Sequence, residues 1–172
     1  MKTNSALGVV CAAALVAGCA ALTVPQNAEE FKSTAGEKYA DKFEVKRSYR
    51  SVSDTLKKKS AECLDVSVTR SYVEYNGPYR ANKTKTVKYR PAVSATASKT
   101  EMQLQEDDGT VGGMQSVPQG GMYIVVVDVS PAGSASTRVE IYGANFGFWG
   151  AIPAAIKGWV NGENLSGCPQ LP

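Results

Sequence analysis

Met122-Tyr123-Ile124-Val125-Val126-Val127-Asp128-Val129 constrains the fold more than any other stretch of this chain. A short run of mostly β-branched residues, broken by one acid, predicts a central strand covered on both faces. Turn signals bound it, Val117-Pro118-Gln119-Gly120-Gly121 before and Pro131-Ala132-Gly133-Ser134 after. Around it, Phe43 to Tyr49 and Thr137 to Tyr142 alternate apolar and polar residues as half-buried strands do. Leu64 to Tyr75 alternates as well and stops at Asn76-Gly77-Pro78, a strong turn signal. Lys83 to Val93 and Lys99 to Glu106 read as a hairpin.

Helical spacing replaces alternation in two places. Val52, Leu56, Ser60, Cys63 and Leu64 share one helix face opposite Lys57, Lys58 and Lys59, with Ser51 or Ser53 available as N-cap. Ile152, Ala155, Ile156 and Trp159 form a second apolar face, with Pro153 in the first turn and Gly162 just past the end. The order strand, helix, several strands, helix predicts an α+β domain: an antiparallel sheet of about five or six strands with two helices on one face. No internal repeat interrupts it.

The N-terminus carries an address. Lys2 precedes an uncharged apolar run from Ala6 to Ala17, too short to span a bilayer, which takes roughly 20 apolar residues. It closes on Leu15-Val16-Ala17-Gly18-Cys19. This run resembles the lipobox of bacterial lipoproteins. The resemblance implies a signal peptide over residues 1–18, a diacylglycerol-modified Cys19 and cleavage between Gly18 and Cys19. An ordinary secretory signal cleaved at an Ala-x-Ala-like site is the alternative reading. By the same resemblance, Ala20 after the anchor implies sorting to the outer membrane, facing the periplasm. Residues 19–40, rich in Ala, Glu, Lys, Thr and Gly, read as the lipidated cysteine and a flexible tether with a reach of roughly 25 Å, possessing at most a short helix around Ala28 to Tyr39. Residues 41–172 then form one domain.

With Cys11 in the signal and Cys19 lipidated, Cys63 and Cys168 remain as a pair in an exported domain, which predicts a disulfide. A metal or redox pair fits poorly, since the sequence has no Cys-x-x-Cys and no histidine. The mature part is also similar, more loosely, to small Gram-negative envelope lipoproteins in which a disulfide closes a compact α+β domain.

Three constellations are candidates for function. From Tyr75 to Thr100, Arg80, Lys83, Lys85, Lys88, Arg90 and Lys99 occur without one acidic residue, interleaved with Tyr75, Tyr79 and Tyr89. Such a pattern suits an anionic ligand, in the envelope a lipid or wall polymer. It equally suits a basic strand laid against Glu101, Glu106, Asp107 and Asp108. Tyr142, Phe146, Phe148 and Trp149 lie in a glycine-rich stretch that reads as a partner-binding loop or as a lid on the core. Asp128, alone in its apolar strand, is read as accepting hydrogen bonds from the following turn.

A formal charge of +3, or +2 once Lys2 is removed with the signal, argues against a nucleic-acid partner. Without histidine there is no Ser-His-Asp or Cys-His arrangement, and no Ser-x-x-Lys or Walker A pattern occurs. The expectation is therefore a lipid-anchored envelope protein without cofactor, metal or catalysis, serving as a protein-interaction or assembly accessory domain. The alternative is a binder of envelope lipid or glycan, or an inhibitor of a wall hydrolase or toxin.

Overall fold

A computed structural model of the chain describes residues 24–109, 116–144, 150–163 and 168–172. A helix α1 (Ala28–Ala35) and a 3-10 turn (Glu37–Tyr39) lead into strand β1 (Ala40–Val45) and helix α2 (Tyr49–Cys63). Five strands follow: β2 (Ser67–Asn76), β3 (Tyr79–Ala95), β4 (Thr100–Asp107), β5 (Met122–Pro131) and β6 (Thr137–Gly143). Helix α3 (Ala151–Asn161) comes last. The strands form a single antiparallel sheet in the order β1-β6-β5-β4-β3-β2.

The apolar run Met122 to Val129 is an inner strand, with Ile124 to Val127 buried without exception. Val125, Val127 and Val129 face a core shared with Met102, Leu104, Val139 and Ile141 from neighbouring strands. Val52 and Leu56 of α2 and Ile152, Ile156 and Trp159 of α3 close that core from above. Two helices thus cover one face of a six-stranded sheet, the architecture that periodicity predicts. Helix α2 begins one turn earlier than its apolar stripe suggests, because Ser48, not Ser51 or Ser53, is the N-cap and accepts from the Ser51 amide. Gly162, at φ +79°, ends α3 in the left-handed conformation that favours glycine.

Cys63 and Cys168 are joined, with their Cα atoms 5.0 Å apart. The bridge ties the end of α2 to the C-terminal segment, whose Leu171 packs against the main core.

The second sheet face is covered too, by a helix that hydrophobic periodicity does not predict. Helix α1 lies across it, burying Ala28 and Phe31 against Val126, with Tyr123 and Tyr142 at the margin. Residues 28–35 therefore belong to the folded body and not to a flexible tether running through residue 40. Only three buried side chains, Ala28, Phe31 and Ala35, mark the helix's inner face, too faint a stripe to stand out in an Ala- and Glu-rich stretch.

Candidate functional site

Strands β2 and β3 are longer than the sheet that carries them. They pair without interruption from Ser67↔Lys88 to Asn76↔Tyr79, whereas β4 accompanies β3 only from Lys88↔Asp107 onward. Beyond that rung the two strands run on as a ribbon whose first residues still pack on the body, with Val87 buried, and whose outer part from Thr84 to the turn is free-standing. At roughly 3.3 Å per residue the free part is about 20 Å long. Its turn is Gly77-Pro78, with Gly77 at φ +60°.

Buried contacts hold the root of this arm. Arg70 pairs with Glu106 at 3.0 Å and also donates to the Tyr89 hydroxyl and to the main-chain oxygen of Pro172. Tyr89 itself donates to Pro172 at 3.1 Å. Lys85 meets Asp108 at 2.6 Å. The C-terminal segment, fixed by the disulfide, thereby braces the arm where it leaves the body.

The outer part is different in character. Every residue from Tyr79 to Thr84 is exposed. Among the described residues the exposed large hydrophobic side chains are Tyr72, Tyr75 and Tyr79, at 44%, 70% and 78% exposure, and all three stand on the arm. The register puts Tyr72 and Tyr79 on one face and Tyr75 on the other, opposite Arg80.

The candidate cations are therefore not one surface. Arg80, Lys88 and Arg90 alternate onto one face of β3, and Lys83 and Lys85 onto the other. Several are matched by acids: Lys83 with Glu74 at 3.8 Å, Lys85 with Asp108, Arg90 with Asp107 at 3.5 Å. The acid-free appearance of residues 75–100 reflects sequence distance only, since the hairpin brings β4's carboxylates alongside. Tyr89, grouped with the exposed tyrosines by sequence, is buried in the core.

Tyr142 lies on β6, half-buried beside α1, where its hydroxyl donates to Glu140 at 2.5 Å. Burial and that hydrogen bond both push its pKa up. Phe146, Phe148, Trp149 and Cys19 lie outside the described residues.

Asp128 does not serve the turn after β5. Its Oδ2 accepts from Lys32 Nζ at 2.9 Å, and Lys99 Nζ lies 3.2 Å from Oδ1. Lys32 also reaches Glu101 at 3.1 Å and Glu29 at 2.6 Å. Burial opposes the charge on Lys32, but the three carboxylates outweigh it and raise its pKa. Burial likewise opposes ionisation of Glu101, and hydrogen bonds from Gln103, Lys32 and Lys99 overcome it, lowering its pKa to about 2. The cluster pins α1 to the sheet, with the Glu101 carboxylate held ionised against a fixed ammonium. That is the arrangement of a structural lock, not of a proton-transfer pair poised near neutral pH.

Among the described residues no group of three potential metal ligands occurs, and no helix is long and apolar enough to cross a membrane. No family model, curated protein or solved structure matches the chain.

Proposed function

We propose that this is a lipid-anchored protein of the bacterial envelope that acts by binding, without catalysis, and that the β2–β3 arm is its binding element. The supporting observation is the concentration of exposed tyrosines on a ribbon that leaves the sheet. Solvated rings bury little surface for the fold itself, whereas tyrosine supplies large contact area at low entropic cost when it meets a partner. The anchor reading rests on Leu15 to Cys19. It makes the domain a fixture of a membrane face, an accessory component whose location is part of its role.

A photo-crosslinking side chain in place of Tyr75, in intact cells, tests the assignment, because such probes insert into lipid and protein alike. Adducts are expected at Tyr75 and absent when the same probe replaces the exposed Ala154 of α3. Equal yields at the two positions, or none at Tyr75, contradict the role given to the arm.

A further inference from the structure

We infer that the arm's partner is the anionic headgroup layer of the membrane that holds the anchor. This rests on the binding role assigned to the arm and names what it binds. The first ground is the distribution of rings and charges. Tyr72, Tyr79 and Lys83 occupy one face of the ribbon, Tyr75 and Arg80 the other. A protein epitope meets one face of a ribbon, while a headgroup layer surrounds a tip on both.

Composition sets the depth. Tyrosine, with an apolar ring and a polar hydroxyl, suits the boundary between headgroups and acyl chains. A two-stranded ribbon has unpaired backbone groups along both outer edges, which hydrocarbon would leave unsatisfied. The tip therefore belongs at headgroup level and no deeper. Its charge agrees: from Ser67 to Val87, Arg70, Arg80, Lys83 and Lys85 stand against Glu74 alone. Arg70 and Lys85 are spent at the root. Arg80 has no ion-pair partner among the described residues, and Lys83 has only a 3.8 Å contact with the exposed Glu74, so both cations are placed to meet anionic lipid.

The path of the chain supplies the last ground. Gln26, just before α1, donates to the Ser116 oxygen at 2.9 Å. The segment after Ser116 is held by Gln105, which donates to Gln119 and Gly121 at 3.1 and 3.0 Å. Gln105 lies two residues before Asp107, the rung at which the arm departs. The N-terminal end of α1 and the arm thus share one end of the sheet. Val24 is five residues from Cys19, a covalent span of at most about 18 Å. An anchor at Cys19 would hold that end close to the membrane, at a distance comparable with the arm's length.

The test uses the full chain, purified from membranes and reconstituted into vesicles, with an environment-sensitive dye on Asn76→Cys at the tip. In vesicles of phosphatidylglycerol and phosphatidylcholine the emission should shift blue, and in phosphatidylcholine alone it should shift much less. Replacing Tyr72, Tyr75 and Tyr79 with Ser should abolish the shift, and Arg80→Gln and Lys83→Gln should each weaken the contact roughly fivefold. The same dye on Ala97→Cys, in the β3–β4 turn at the opposite end, should stay water-like. Water-like emission from the tip in both vesicle types overturns the inference. A tip shift seen only when envelope proteins are added also overturns it, while leaving the arm a binding element for protein. A shift that persists in a chain whose Cys19 proves unmodified by mass upholds the lipid contact and removes the anchor.

Discussion

Lys32, Glu101 and Asp128 show how three residues far apart in sequence decide where α1 sits. The Lys32 ammonium is shared between Glu101 on β4 and Asp128 on β5, which stand opposite each other across the ladder. Without it the two carboxylates would face one another with only the more exposed Lys99 to offset them. The folded state holds Glu101 near a pKa of about 2, against an ordinary value of 4.5. Its contribution to stability is therefore complete above about pH 4.5 and is lost as pH falls toward 2. Urea unfolding across that window should show a falling midpoint in the native chain. Glu101→Gln should be less stable at neutral pH and lose part of that acid dependence; an unchanged slope would remove Glu101 from the lock. Asp128's partners were illegible in the sequence because Lys32 lies 96 residues away on a helix with almost no hydrophobic signature.

At the scale of elements, legibility followed the strength of the periodic signal. β5, α2 and α3 announce themselves through apolar runs and stripes that burial then fills. β2 and β3 also read as strands, but alternation cannot tell a strand within a sheet from one in a free ribbon. Only the register, which leaves β3 without β4 before Lys88, makes the difference. The Tyr75 to Thr100 stretch is conspicuous for its cations, yet the arm's tyrosines define it better than its charges, several of which are neutralised by acids from elsewhere. The Cys63–Cys168 bridge was legible by elimination and closes a loop with a sequence separation of 105. Reduction should lower stability by about 2–4 kcal/mol, read from denaturant unfolding with and without reductant. The C-terminal segment it restrains braces Arg70 and Tyr89. Hydrogen exchange in β2 and β3 should therefore accelerate on reduction more than exchange in β5; uniform acceleration would show that the tail does not support the arm.

For the molecule as a whole, the parts have a common direction. The sheet and its two-helix layer share one core, α1 is clamped to the other face, and the chain comes in at the end from which the arm leaves. On the function proposed above, an anchor at that end would give the arm a surface to meet, with the body behind it to stand on. If the chain is anchored as proposed, the arm's tip and not the opposite end makes the contact. Cysteine accessibility in intact envelopes measures this directly, comparing Asn76→Cys at the tip with Ala97→Cys at the far turn, both exposed in the folded domain. A membrane-impermeant maleimide admitted to the anchored face should label Ala97→Cys freely and Asn76→Cys poorly, and Cys19→Ala should release that protection along with the domain. Equal labelling of the two positions in the anchored protein would contradict the account.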